Sequence, residues 1–533
     1  MRFAFRLLIA VVVTLGLLAG TASAQDQTNK MVPLFQSPNS RINSDLAFWG
    51  NYAFQGYYEG GSAPVGDSGV RIFDISTPAA PLEIKDFKCD GQQNDPILWD
   101  GNGNGIPDLM LLADDRTMEN PACGAARATD AAGQRFDAKP SGWEGVRVFT
   151  MSDNPANPFA NIQQVDTVYT DCGAHTITLW PEFADDANNP RLLAYVSSYP
   201  LRPGPTCGDT EYLNTSNPYD EDPGSPNNPL HGVIQTVEVP LNDPAASHEL
   251  TPAGQLPISY PGDPDGQIDW SERDPSLSPP AFEPGAVACH DIVVHVKSRL
   301  AGAACAEQGQ VWRIGPNGLP DTAHPISIAD DQVTSGGDPG TLPGAVDFFH
   351  SVMFNNNATV VNWVDESFGE GCPTETTYQP RPWNPSGGTH ETGRMFFTDL
   401  DGNFLSDFQV GDVRPQPLTD PPPYCSAHMG MAVRGVNRDL LVNAWYTGGV
   451  DVIDFSDPTN LKEIAYHKFA GTFGSDNWSA YPYTGPVFQG TGIPVYASDG
   501  VEDPPTGRGT VVFRALLPKP GKKVDHLNPQ TIP

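Results

Sequence analysis

GVRIFDISTPAAP at residues 69–81, GVRVFTMSDNPANP at 145–158 and GVDVIDFSDPTNL at 449–461 are one phrase written three times. A glycine opens it, apolar residues alternate with polar ones as in a half-buried strand, and an Asp/Ser/Pro cluster ends it as a turn. Weaker copies start at Gly232, Gly309, Gly393 and Gly509, which makes seven units along the chain. Strand-like runs precede each copy, among them DLAFWGNYAFQGYY, NDPILW with LMLLAD, HTITLW with LLAYVSS, and HMGMAV with LLVNAWY.

Units of three or four strands cannot bury both sheet faces alone, so they are expected to stack radially as blades. The predicted fold is therefore all-β: a single seven-bladed β-propeller with long inter-strand loops, starting near Ser44 and closing near Arg514. Two β-sandwich domains would also suit short strands with regular turns. The phrase recurs without a linker break, which favours the propeller. The 54 prolines and 53 glycines, against 39% hydrophobic residues, fit strands joined by turns better than helices.

Residues 1–24 have the pattern of a secretory signal: Arg2 and Arg6, an apolar run from Leu7 to Leu18, then Ala22-Ser23-Ala24. The division expected is signal 1–24, an N-terminal extension 25–43, the propeller 44–516 and a polar tail 517–533. No later run reaches the roughly 20 apolar residues a membrane span needs. The chain is thus expected to be secreted or extracytoplasmic. The formal charge of −34 becomes −36 once the two signal arginines are gone, and a phosphate backbone demands a basic face, so nucleic acid is excluded as a partner.

Eight cysteines in an oxidising compartment favour disulfides. Proximity pairs Cys89 with Cys123, Cys172 with Cys207, Cys289 with Cys305, and Cys372 with Cys425. Because Cys172, Cys289 and Cys425 lie near histidines, thiolate ligation of a metal is the competing idea.

Four histidines occupy one phase of the repeat: CGAHTITLW at His175, ACHDIVVH at His290, FFHSVMF at His350 and CSAHMGMAV at His428. Residues at one phase of a radial repeat meet at one place, so four blades are expected to deliver imidazoles to one end of the central channel. Ser44 and Asn94 hold that phase in the first two blades. Imidazole nitrogen binds copper, iron, zinc or nickel, and four nitrogens leave no need for a carboxylate ligand. Asp291, Asp114, Asp115, Asp365 and Glu366 are candidates to orient the imidazoles or accept a proton, although acids at strand ends are also common turn formers. The remaining histidines, His231, His248, His295, His324, His390, His467 and His526, read as surface or packing residues.

DGNGNGIPD at 100–108 places oxygen donors at Asp100, Asn102, Asn104 and Asp108 with the Ile106 carbonyl between them, the spacing of a calcium loop like that of integrin-type propeller blades. An ordinary Asn-Gly turn has the same composition. The acidic, proline-bearing runs from Asn217 and Gly262 read as solvated loops. GDSG at Gly66 lacks a histidine and acid in triad order, and GxSxG, HExxH and P-loop patterns do not occur.

Together, QQNDPILW, WEGVRVF, CGAHTITLWPE, ACHDIVVH, FFHSVMFNNNATVVNWVDE and NRDLLVNAWYTGGVDVIDFSDP resemble the secreted bacterial LVIVD-repeat proteins over nearly the whole mature chain. That resemblance implies a β-propeller and names no activity. A remoter resemblance, resting on histidine-led inner strands, is to the selenium-binding protein and methanethiol oxidase group, and it implies a bound metal tied to oxidation of small sulfur compounds. Two function classes follow. One is a metal-dependent oxidoreductase of the channel mouth acting on a small-molecule substrate, with a Lewis-acid hydrolase as its nearest variant. The other is a non-catalytic propeller whose rims bind an extracellular protein or glycan.

Overall fold

A computed structural model describes residues 26–37, 41–58, 67–126, 142–170, 173–198, 233–258, 289–305, 308–329, 342, 346, 349–366, 393–413, 425–470, 475–486, 490–500, 508–518 and 520–533. The signal-like segment 1–24 and the acidic runs 217–229 and 262–274 lie outside them. The described strands form seven small, almost wholly antiparallel sheets arranged in a ring, so the chain is a seven-bladed β-propeller. The innermost strands are Ile42–Trp49, Gln93–Trp99, Thr176–Trp180, Asp291–His295, Phe349–Phe354, Gly430–Ala432 and Asn477–Pro482. Each packs against the innermost strand of the next blade, and the last meets the first.

The repeated glycine has a steric cause. Gly69, Gly145 and Gly449 sit at φ of 154°, 137° and 94°, and a Cβ there would lie 2.1–2.4 Å from the carbonyl oxygen of Phe87, Val168 or His467 on the outer neighbouring strand. Only glycine lets the third strand of a blade approach its fourth so closely. Behind it, alternate residues fill the space between sheets: Val70, Ile72, Val146, Val148, Val450 and Val452 are fully buried.

Both ends of the described chain are woven into the ring, beyond the extension and tail that their polarity suggests. Gln27–Asn29 adds an outermost strand to blade six, and Met31–Ser37 supplies the outermost strand of blade seven, so the first strands and the last close one sheet. At the other end, His526–Leu527 pairs with the inner strand of blade one and Thr531–Ile532 runs parallel to that of blade four. Between them Asn528 accepts from the Leu98 amide and donates to its carbonyl, both at 2.8 Å, and Thr531 Oγ1 donates to the Leu179 carbonyl. Arg434, just past the inner strand of blade six, donates to a Pro533 oxygen. The tail thus crosses the carboxyl ends of the inner strands and covers that end of the channel.

Cys89–Cys123 and Cys289–Cys305 are disulfides, and Cys425 is disulfide-bonded as well. Thiolate ligation by Cys289 or Cys425 is therefore overturned. Cys172, Cys207 and Cys372 lie outside the described residues. Among the described residues no helix is long and apolar enough to cross a membrane.

Candidate metal centre

His175, His290, His350 and His428 lie at the opposite end of the channel from the tail, where the inner strands of blades three to six begin. Their rings form an arc, with centroids 4.3 Å apart between His175 and His290, 3.9 Å between His290 and His350, and 4.1 Å between His350 and His428. All four are buried, from 6% exposed at His175 to 1% at His428.

Backbone carbonyls fix two of the rings. His290 Nδ1–H donates to the His350 carbonyl at 2.9 Å, and His428 Nδ1–H donates to the Trp478 carbonyl at 2.5 Å. Each therefore stitches its blade to the next and leaves Nε2 as the unprotonated nitrogen, the tautomer a metal needs. His428 Nε2 makes no hydrogen bond. His175 is held by a carboxylate instead, its Nδ1–H donating to Asp115 Oδ2 at 2.6 Å. The Gln93 amide nitrogen also sits 3.0 and 3.1 Å from the two ring nitrogens of His175, so donation to Nε2 occupies the end of the arc.

Glu366 lies between His350 and His428. Its oxygens are 3.5 Å from His350 Nε2 and 3.7 Å from His428 Nε2, and Tyr446 donates its hydroxyl to Oε1 at 2.5 Å. One ligand atom from each of His350, Glu366 and His428 falls within 4.8 Å of the others, a buried group that could hold a metal ion. A carboxylate thus stands at ligand spacing where four nitrogens alone were expected. Trp478 flanks His428 at 4.6 Å, in the blade-seven place matching the histidines.

Burial dominates the electrostatics. It pushes the His428 imidazole down to about 3 against the pull of the Trp478 carbonyl, with His175 lowering it further. Burial, then the neighbouring imidazoles, holds His290 and His350 well below the ordinary histidine range. At neutral pH these three rings are uncharged, the form that ligates.

The expected outer carboxylates divide. Asp115 orients His175, and Glu366 joins the ligand-spaced group. Asp114 instead forms a wholly buried ion pair with Arg147 at 2.8 Å, and Asp365 accepts from the Gly393 amide at 2.7 Å, so both brace the blades. Asp291 is buried one residue along the strand from His290 and faces a separate cavity. Ser44 and Asn94 bond backbone carbonyls, of Gln93 for the first and of Tyr57 and Cys89 for the second. Sequence reasoning missed Gln93, Tyr446 and Trp478. Gln93 and Tyr446 lie outside the repeated phase, and Trp478 lies on it without a metal-binding side chain.

In the 100–108 loop, Asp100 accepts from the Gly103, Asn104 and Gly105 amides and Asp108 from the Gly101 amide. Asp153 accepts from the side chains of Asn102 and Asn104, which the sequence did not suggest. In GDSG, Asp67 pairs with Arg41 and Lys88 while Ser68 accepts from the Gly91 amide, so this phrase is structural. His248 and His324 are exposed, His295 caps a turn, and His526 stacks on Trp49. His231 and His390 lie outside the described residues.

No family model matches the chain, and no curated protein does. Among solved structures it is similar to a putative 6-phosphogluconolactonase from Bacteroides fragilis NCTC 9343, at 11% identity over 92% of this chain and 97% of that one, with a TM-score of 0.41. It is also similar to Sqt1 from Chaetomium thermophilum, at 12% identity over 90% and 97%, with a TM-score of 0.42.

Proposed function

We propose that this chain is an extracytoplasmic, metal-dependent oxidoreductase acting on a small molecule at the histidine end of the channel. The observation that carries it is the buried His350, Glu366 and His428 group, with ligand atoms within 4.8 Å and two further imidazoles continuing the arc. Nitrogen-rich ligation with one carboxylate suits copper, iron or zinc, and a redox-active ion would supply one-electron chemistry there. His350, His428 and Glu366 would hold it, with His290 the next nitrogen along the arc.

The surrounding residues prepare that site. Carbonyls of Trp478 and His350 hold the His428 and His290 rings in one tautomer. Tyr446 turns Glu366 toward the two imidazoles and is placed to pass a proton through that carboxylate. Burial keeps the imidazoles neutral without a competing proton.

Elemental analysis and electronic spectra of the exported protein test this reading. Wild type is expected to hold about one copper or iron per chain and to change spectrum on reduction, with His350→Ala and Glu366→Gln losing the metal. A protein that takes up none of copper, iron or zinc, or takes it up equally in both variants, overturns the centre. A stable zinc-only protein with hydrolytic turnover favours the hydrolase, and one without turnover the non-catalytic module.

A further inference from the structure

One residue beyond His290, His350 and His428 along their strands lie Asp291, Ser351 and Met429. These line a separate cavity of about 10 Å³, to which Gln530 of the tail also contributes. Room of that size suits one water-sized occupant. The second strands of blades five and six contribute Asn362 and Asn443.

Val352, Met353, Val364, Met429 and Leu441 line part of the space, and its polar lining is rich in acceptors. Asp291 is 1% exposed and Asn362 2% exposed, and neither Asp291 oxygen nor Asn362 Oδ1 accepts a well-formed hydrogen bond. Burial raises the Asp291 carboxyl well above the ordinary carboxylate range, and long contacts from the Ile292 and Val352 amides offset part of that. The Asn362 amide nitrogen donates to the Phe396 carbonyl and that of Asn443 to the Ala444 carbonyl. Both side chains are therefore committed through nitrogen, and Asn362 Oδ1 is left without a well-formed hydrogen bond. A Cβ on Gly430 would lie 2.5 Å from Asn443 Oδ1, so glycine at this position leaves that oxygen its place. Ser351 donates its hydroxyl to the His428 carbonyl and keeps its lone pairs. No lysine, arginine or histidine lines the space.

Three buried acceptor atoms without well-formed hydrogen bonds face room for a single small occupant. One water has only two hydrogens to give, whereas a cation satisfies every oxygen at once. We propose that this cavity is a second, oxygen-ligated cation site, taking calcium or sodium, distinct from the histidine centre. A carboxylate with neutral amide and hydroxyl oxygens is the donor set of a hard cation, whereas the imidazole arc selects softer ones. Because Gln530 also lines the space, the cation ties the tail to the inner strands of blades four to six.

Thermal unfolding and bound-metal content test this on the full chain, freed of transition metals. Wild type is expected to melt higher in millimolar calcium, or in sodium chloride over choline chloride, since choline is too large to enter. In an Asp108→Asn background, which removes any contribution of the 100–108 loop, Asp291→Asn should abolish that rise. If calcium rather than sodium is the occupant, Asp291→Asn also loses about one bound calcium per chain relative to Asp108→Asn. Should Asp291→Asn fail to fold, Asn362→Ser decides by the same measurements. An unchanged melting temperature in both salts, or a cation-dependent rise surviving in the variant, overturns the proposal. None of these readouts depends on copper, iron or zinc, so this site and the histidine centre stand or fall separately.

Discussion

Acid should destabilise the metal-free protein through His428, and the size of the effect follows from its burial. An unfolded imidazole titrates near 6.5, whereas the folded His428 imidazole is held down to about 3. Between those values the unfolded chain binds the extra proton, so this contribution is intact above about pH 6.5 and is lost progressively as pH falls toward 3. At about pH 5 the loss is roughly 2 kcal/mol, from about 1.4 kcal/mol per pH unit over 1.5 units. Total stability will not display it directly. His290 and His350 act in the same direction, but Asp45, raised to about 6 by burial, and Asp95 and Asp291, raised well above the carboxylate range, act in the opposite one. The measurable quantity is therefore a difference of differences. Urea unfolding of chelator-treated wild type and His428→Asn, whose amide N–H can still reach the Trp478 carbonyl, should be compared at about pH 7.5 and about pH 5. Between these conditions wild type should lose about 2 kcal/mol more than the variant. Equal losses would refute the claim that burial keeps His428 neutral.

Asn528→Ala removes both partners of the Leu98 backbone at once and should cost roughly 2–4 kcal/mol in urea unfolding, leaving metal content unchanged because it lies at the far end of the channel. Asp114→Asn leaves the Arg147 charge buried without its carboxylate and should cost roughly 3–5 kcal/mol, whereas Asp114→Leu with Arg147→Met should recover most of that in the same assay. Replacing Cys289 and Cys305 by serine opens a link spanning 16 residues beside His290. A drop of about 3 kcal/mol is expected by calorimetry, with weaker metal retention.

The propeller was legible because its signal is periodic: the Gly-Val opening, strand alternation and an Asp/Pro turn recur in register. The second strand of blade four, Leu300–Cys305, was not, since LAGAAC carries small residues with little strand preference, and only packing against the neighbouring blade makes it a strand. The same holds for the woven ends, where Met31–Ser37 and Thr531–Ile532 are recruited by open strand edges and not by their own pattern. At the site, repeat phase identified four histidines, while Glu366 was foreseen only as an outer group. Its distance from His350 and His428 depends on where two strands of blade five end relative to blade six, and spacing along the chain carries no such information.

Recurrence of histidine at one phase has a structural cause that does not compete with ligation. Neighbouring inner strands leave backbone carbonyls facing the next blade, and side chains satisfy them: Thr176 bonds the His290 carbonyl, Thr178 that of Ile292, and Ser351 that of His428. His290 and His428 do the same work through Nδ1. A hydroxyl is smaller and titrates far from neutrality, so stitching alone would be served by threonine or serine at these two positions, as it is at the adjacent ones. An imidazole adds a second nitrogen on the opposite side of the ring. With the tail covering one end of the channel, those nitrogens stand at the other. The fold therefore places the Nε2 atoms of His290 and His428 on the face opposite the tail.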